Sequence, residues 1–141
     1  MINLIPGVAT SASALNAERI RMEVVSQNIA NANTTRDVNG KPYQRQHVVF
    51  ESMLLDAQNQ FGTGARGIQV ARIEKDARPA NLVYNPSHPD ADARGFVATP
   101  NVNIHEEMVD LIASSRAFEA NLAVVKNARQ MAMQSLSIAK H

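Results

Sequence analysis

The densest cluster of polar side chains in the chain, NPSHPDADARGF, occupies residues 85–96. Its aspartates Asp90 and Asp92 have the spacing with which an EF-hand calcium loop begins. Such a loop needs an oxygen ligand at its fifth position and a bidentate glutamate at its twelfth, where this chain has Arg94 and Asn101. We therefore expect no metal site in this cluster.

The same cluster contains His88-Pro89-Asp90, the tripeptide that J-domain co-chaperones present to their chaperone partner. A basic helical hairpin, which should surround that tripeptide, is missing from the sequence. Proline restricts φ, and the side chains of Asp90 and Asp92 can accept hydrogen bonds from nearby backbone amides. The cluster is therefore predicted to be a turn.

Other patterns that support catalysis or cofactor binding are also missing. The chain has no cysteine, no Gly-x-Ser-x-Gly elbow and no Gly-x-x-x-x-Gly-Lys loop. His105 stands beside Glu106 in the first turn of a predicted helix, where a solvated or capping role is favoured over metal binding. The apolar stripes of the chain lack the Glu-x-x-His pairs of a four-helix-bundle enzyme. We predict that the protein is not an enzyme and that it binds no cofactor and no small-molecule substrate.

The composition favours one helical domain without nucleic-acid or membrane partners. The 141 residues are 45% hydrophobic and include no Trp, so the core must be mostly small and aliphatic. The formal net charge is only +1, and no run of Lys and Arg interleaves with aromatic residues. The sequence lacks any stretch near the ~20 apolar residues that span a bilayer, and residues 1–15 lack the regions of a signal peptide. We expect neither membrane insertion nor a cleaved signal peptide.

An amphipathic stretch predicts a first helix over residues 8–32. Its apolar residues recur every seven positions, with others between them: Val8, Leu15, Met22 and Ile29, and then Ala12, Val25 and Ala32. Three asparagines, Asn28, Asn31 and Asn33, stand where this helix should end. Asparagine tolerates the left-handed conformation at a helix C-terminus, so these residues can mark a frayed end.

A longer stretch predicts a second helix over residues 103–139. Its apolar residues also recur every seven positions, with others between them: Ile104, Leu111, Phe118, Val125, Ala132 and Ala139, and then Met108, Leu122 and Leu136. Asn103 and Glu106 form the pattern of an N-cap with an acidic partner. Arg129 interrupts the apolar row. We expect its aliphatic stem to carry the charge out to solvent, and an ion pair with an acid of a neighbouring subunit is the alternative.

The middle of the chain, residues 34–102, holds all but one of the glycines and all but one of the prolines, which favours strands and turns. Residues 43–51 and 67–76 are the strand candidates, because β-branched residues there alternate in part with polar ones. Residues 60–67 are predicted to be a loop.

The predicted fold class is mainly α with a small β-rich middle (α+β). The two long helices should pair as a coiled coil and form one α-helical domain, so the chain divides into residues 1–33, 34–102 and 103–141. At ~1.5 Å per residue the first helix spans about 37 Å and the second about 55 Å. The second helix also carries apolar residues outside its seam, which one chain of this size cannot cover. The sequence therefore predicts contacts with other chains.

Residues 15–34, LNAERIRMEVVSQNIANANT, resemble the N-terminal signature of the bacterial flagellar axial family, which comprises rod, hook and hook-associated proteins. The matching positions are Leu15, Ala17, Ser26, Asn28, Ile29, Ala30, Asn31 and Thr34. Residues 81–121 are similar to the proximal-rod subunits in particular, and the likeness is weakest over residues 52–66. The polar residues of the family signature are Asn28, Asn31, Asn33, Asn101, Asn103, Glu119 and Asn121.

The resemblance implies a structural subunit that polymerises helically through its terminal helices into the proximal rod, the drive shaft and export channel that crosses the periplasm. Its partners would be other copies of itself, other rod subunits and the flagellar type III export apparatus. Assembly contacts are expected at the apolar seam: Leu15, Met22, Val25, Ile29, Met108, Leu111, Phe118, Leu122, Val125 and Leu136. Because an amide both donates and accepts, the asparagines could serve the helix end, a neighbouring subunit or both. A soluble helical adaptor that binds one partner helix is the alternative function.

Overall fold

The computed structural model describes residues 4–54 and 66–138. In chain order the elements are α1 (Leu4–Ala30), β1 (Gln46–Leu54), β2 (Arg66–Lys75), β3 (Asn81–Tyr84), β4 (Phe96–Thr99) and α2 (Ile104–Ile138). Helix α1 packs against α2 and against both strands of the β1–β2 hairpin. The predicted α+β class is confirmed, with two long terminal helices in contact and short antiparallel strand pairs between them. The division of the chain into units stays a prediction.

Helix α1 begins at Leu4, before the predicted start at residue 8. Pro6 did not delay it, because the first four N–H groups of a helix have no intrahelical acceptor and proline lacks only that group. The helix ends at Ala30, two residues before the predicted end, and a turn follows. The amide of Asn31 still donates to Gln27 O at 3.0 Å, and the amide of Thr34 donates to Asn31 O at 3.0 Å.

Helix α2 begins at Ile104, directly after the predicted N-cap. Asn103 Oδ1 accepts from the amide of His105, and Asn103 Nδ2 donates to Glu106 Oε1, each at 3.1 Å. The cap and its acidic partner are therefore confirmed. The helix runs for 35 residues against 27 for α1, or about 52 Å against about 40 Å at ~1.5 Å per residue. Arg129 is exposed on it, as expected.

Strands β1 and β2 form an antiparallel hairpin, here called the long hairpin. Its register pairs Gln46 with Lys75 and Leu54 with Arg66, and a bulge lies between Val49 and Phe50. Both predicted strands exist, but β1 begins three residues later than predicted. The predicted loop over 60–67 falls largely outside the described residues, whereas positions 66 and 67 belong to β2.

Strands β3 and β4 were not predicted, because four residues each are too few to show a period of two. They form a short antiparallel hairpin around the polar cluster, which contains turns as predicted. Asp92 Oδ1 accepts from the amides of Arg94 and Phe96, each at 2.8 Å. The prediction for Asp90 was wrong, because its carboxylate accepts from Thr35 Oγ1 at 2.9 Å and lies 3.2 Å from Arg36 Nη2. The segment after α1 runs beside this turn and supplies those partners.

The buried apolar side chains are small, as the composition predicted. Among the described residues they are Ala17, Val24, Val25, Ala32, Val97 and Ala128. The largest fully buried side chains are instead polar: Glu107, Asn28 and Ser114. The described helices include none that is long and apolar enough to cross a membrane. The core thus centres on polar groups, whose hydrogen bonds define the candidate site.

Candidate functional site

A fully buried amide and a fully buried carboxylate meet where the helices and the long hairpin converge. Asn28 lies in the last turn of α1, and Glu107 lies in the first turn of α2. Three residues complete the contact, of which one begins the long hairpin and two lie just before it. We call these five residues the buried junction: Asn28, Tyr43, Arg45, Gln46 and Glu107.

The Asn28 side chain uses every hydrogen-bonding position it has. Nδ2 donates to Gln46 O at 2.7 Å and to Glu107 Oε2 at 2.9 Å. Oδ1 accepts from the Gln46 amide and from the Tyr43 hydroxyl, each at 2.9 Å. The amide therefore pairs with both backbone groups of Gln46, as a neighbouring strand would. Only an amide side chain can donate and accept in this way, which explains asparagine at this position.

Glu107 is a buried charge with a close counter-ion. Arg45 Nε donates to Glu107 Oε1 at 2.6 Å, and the Arg45 side chain is 17% exposed. The same guanidinium lies 3.8 Å from Asp76 Oδ2 and 3.7 Å from Asp110 Oδ2. Burying a carboxylate is tolerated when it is both paired and hydrogen-bonded, and here Asn28 supplies the second hydrogen bond.

Asn101, a residue of the predicted signature, fixes the backbone beside Arg45. Its Oδ1 accepts from the Arg45 amide at 2.8 Å, and its Nδ2 donates to Arg78 O at 2.9 Å. Asn101 is buried and lies shortly before α2, so it joins the start of that helix to the segments just before β1 and just after β2. This second amide bridge supports the same convergence as Asn28.

Tyr43, within the junction, and Asp76, beside it, have shifted pKa values. Arg78 donates to the Asp76 carboxylate from its side chain and its backbone amide, and these bonds lower the pKa of Asp76 to about 2. Burial, and then the negative charge of Glu107, raise the pKa of Tyr43. The Tyr43 phenol therefore stays protonated and keeps donating to Asn28 at neutral pH.

The helices place the junction through an antiparallel pairing. Asn28 contacts Glu107, and Arg21 Nη2 lies 3.2 Å from Asp110 Oδ1, so positions rise along α2 as they fall along α1. Val24 and Val25 lie one turn before Asn28 and are buried with it. The apolar stripe that packs the helices together therefore also carries the buried amide inward.

The junction offers structural chemistry rather than a binding centre. Its polar side chains are engaged with one another, and the described residues include no cluster of histidine, aspartate and glutamate that could hold a metal. A cavity of about 300 Å³ opens beside it between α1, β1 and α2. Arg21 and Arg45 line this cavity, and each lies in an ion pair with Asp110.

The polar residues of the predicted signature have different roles in the structure. Asn31 Nδ2 donates to Gln27 O at 2.9 Å, and Asn121 Nδ2 donates to Ala117 O at 2.9 Å, so both serve their own helix. Asn33 and Glu119 are exposed. Asn28 and Asn101 lie at the convergence described above, whereas Asn103 caps α2.

The predicted seam residues lie at different depths in the single chain. Val25 is buried, and seven others are half-buried: Leu15, Met22, Ile29, Leu111, Phe118, Leu122 and Val125. Met108 is 49% exposed and Leu136 is 68% exposed. The role of these residues in assembly stays a prediction.

Sequence reasoning missed Tyr43, Arg45 and Glu107. Glu107 looked like an ordinary acid in the first turn of a helix, where the helix dipole favours negative charge. In the structure Glu107 lies seven residues before Ser114 on the buried face of α2, but nothing in the local sequence separates it from its neighbour Glu106. A carboxylate on an inward face needs a cation, but the position of Arg45 across the fold was not readable from the sequence.

Two family models match the chain. One, described as "Flagella basal body rod protein", matches residues 9–36, and the other, described as "Flagellar basal body rod FlgEFG protein C-terminal", matches residues 93–138. The first match contains Asn28 and the second contains Glu107, so the two matched segments meet at the buried junction.

Relatives align over nearly the whole chain. The chain is 44% identical to the flagellar basal-body rod protein FlgC of Bacillus subtilis, over 92% of this chain and 94% of that protein. It is 38% identical to FlgC of Borreliella burgdorferi over 97% and 98%, and 37% identical to FlgC of Salmonella typhimurium over 89% and 90%. The chain therefore belongs to the FlgC family of flagellar basal-body rod proteins, which are structural and non-catalytic.

Proposed function

We propose that this chain polymerises helically with other copies of itself and with other rod subunits. The contacts would use faces of its terminal helices that are exposed to solvent in the single chain. The observation that carries the proposal is the exposure of apolar side chains along α2. Ile112 is 52% exposed, Met133 is 61% exposed and Ile138 is 76% exposed. Others on the same helix are also exposed: Ile104, Met108, Val109, Val124, Met131 and Leu136. Such a surface is typical of a protein that buries it against partners.

The lengths of the helices support the same proposal. Because the helices are antiparallel and their junction lies near residue 107, α1 runs out before α2 ends. The eight-residue difference in length corresponds to about 12 Å of helix at ~1.5 Å per residue. Met133, Leu136 and Ile138 lie in this distal part of α2. In the rod, a neighbouring subunit would bury these side chains.

The buried junction would set the geometry of the subunit within the rod. It connects both helices to the long hairpin through hydrogen bonds, which require specific directions. Contacts between small apolar side chains alone would let these elements slide past one another. A helical polymer repeats any angular error at every subunit, so a defined angle between its contact faces is required.

The proposal also places the chain in the proximal rod. There the paired helices would form the layer around the export channel, and the flagellar type III apparatus would deliver the subunit without a cleaved signal peptide. Two observations support a position in the proximal rod. Residues 81–121 are similar to proximal-rod subunits, and the two helices have long apolar faces.

The test introduces a charge on the exposed C-terminal part of α2. Met133→Asp should prevent rod completion, since a carboxylate buried in a subunit contact costs several kcal/mol and the defect recurs in every copy. Gln134→Asp, with the same charge at the next exposed position, is the matched control. Completed rods are counted by electron microscopy in cells that express each variant at normal abundance. Wild-type rod numbers with Met133→Asp would refute the proposal.

A further inference from the structure

The long hairpin receives almost all of its support from α1. Helix α1 packs against both β1 and β2, whereas α2, within residues 104–138, packs along α1 and against neither of these strands. The α2 side chains that reach toward the hairpin belong to Glu107 and Asp110, and both contact Arg45 just before β1. The hydrogen bonds and ion pairs that connect α2 to the start of the hairpin therefore run through Glu107 and Asp110.

Helix α1 anchors the hairpin backbone at two places. Ser13 Oγ accepts from the Ile68 amide at 3.1 Å near one end, and Asn28 bonds to both backbone groups of Gln46 at the other. Positions 13 and 28 are about 22 Å apart along a helix at ~1.5 Å per residue. Positions 46 and 52, the latter opposite Ile68, are about 20 Å apart along a strand at ~3.3 Å per residue. The spacings agree, so the hairpin lies along α1.

The two anchors differ in their dependence on α2. Ser13 donates its own proton to Thr10 O at 2.7 Å and needs nothing from α2. Asn28 shares its Nδ2 between Gln46 and Glu107, and Glu107 also orients Arg45, the residue adjacent to Gln46. Without Glu107 the Asn28 side chain keeps its bonds to Gln46 and Tyr43 but loses the one that joins it to α2. Arg45 is then left with its more distant carboxylates, Asp76 and Asp110. Docked α2 therefore adds a second support at this end of the hairpin, through Glu107, and none at the Ser13 end.

We propose that Glu107 is a positioning residue through which docked α2 fixes the base of the long hairpin. The inference rests on the proposed function where it concerns assembly, because subunits that cover the remaining faces of α2 would hold this helix docked against α1. Assembly of the helical layer would thus steady the base of the hairpin, whereas a subunit with α2 undocked would hold that base through the Asn28 contacts of α1 alone.

The test compares amide hydrogen exchange in the full chain for the wild type, Glu107→Ala, Glu107→Gln and Glu106→Gln. Glu106→Gln removes the same charge from the adjacent exposed residue and keeps an oxygen for Asn103. We expect both Glu107 variants to exchange about tenfold faster at residues 46–50 and 70–75, while residues 114–128 change less than about twofold. The Glu106 variant should match the wild type. If Glu107→Ala fails to fold, Glu107→Gln decides the outcome, since it keeps the side-chain volume.

A uniform acceleration in every element would overturn the inference, because Glu107 would then stabilise the fold without positioning the hairpin. Unchanged exchange at residues 46–50 would overturn it as well. Neither result bears on the proposed function if Met133→Asp still blocks rod completion. Conversely, normal rods with Met133→Asp would remove the proposed function, whatever the hairpin does.

Discussion

Replacing Asn28 by aspartate changes a single group at the centre of the buried junction, because Nδ2 becomes an oxygen. In the wild type this nitrogen donates to Gln46 O at 2.7 Å and to Glu107 Oε2 at 2.9 Å. In Asn28→Asp an acceptor would face these two acceptors, and one of them belongs to a fully buried carboxylate. The variant must hold two like charges together or bind a proton.

Proton uptake sets the upper limit of the cost. An aspartate in an unfolded chain has a pKa of ~3.9, so keeping the introduced carboxyl protonated at pH 7 costs about 4 kcal/mol. A protonated carboxyl donates one hydrogen bond where the amide donates two, which adds about 1 kcal/mol. Burial and Glu107 raise the pKa of the introduced group in the folded state. The loss in unfolding free energy is therefore small below pH ~4, grows by ~1.4 kcal/mol per unit above it, and approaches about 5 kcal/mol at pH 7.

The assay is urea unfolding of the full chain, followed by far-UV circular dichroism at several pH values between 4 and 7. The quantity compared is the difference in unfolding free energy between variant and wild type at each pH. Asn31→Asp is the matched control, because Asn31 Nδ2 donates only to Gln27 O and the residue is half-exposed. A carboxylate at that helix end should cost under about 1 kcal/mol, without a slope above pH ~5.

The reasoning would be refuted by a difference that stays constant between pH 4 and 7. It would also be refuted if Asn28→Asp were no more destabilising than Asn31→Asp. Either result would mean that the Asn28 amide does not face a buried carboxylate, and the account of the junction would have to be abandoned.

Three further predictions follow from neighbouring contacts. Tyr43→Phe should lower the unfolding free energy by about 0.5–1.5 kcal/mol in urea titrations, since Asn28 Oδ1 loses one donor; no change would contradict the hydrogen bond. Asp76 has a pKa of about 2, below the ~3.9 of the unfolded chain, so its stabilisation is present above pH ~4 and lost toward pH 2. Asp76→Asn should therefore lose less stability than the wild type over that range in an acid titration, and an equal loss would count against it. Asn31→Gly should cost a few tenths to about 1 kcal/mol and leave rod counts normal, because the contacts of Asn31 are local; missing rods would assign this residue to a subunit contact.

Local patterns in the sequence were sufficient for the helices, their caps and the family. A period near 3.6 over many residues identifies a helix, and Asn103 with Glu106 marks its start, because both signals depend only on neighbours along the chain. The start of α1 was misplaced since Pro6 looks like a boundary although a first turn accepts it. Strands β3 and β4 were missed because each is stabilised by its partner strand rather than by its own sequence.

The buried junction was decided only by the tertiary structure. Asn28 and Glu107 are 79 positions apart, and nothing local distinguishes Glu107 from the exposed acid Glu106 beside it. The rotation of α2 against α1 decides which of the two glutamates faces the core. The fold tolerates the buried glutamate because Arg45, from a third segment of the chain, pairs with it. The sequence by itself determined that asparagines stand at the end of α1, and it predicts partner chains for the helices. Packing decided which asparagine is buried, because a side chain becomes part of a core only when distant segments provide all of its hydrogen bonds.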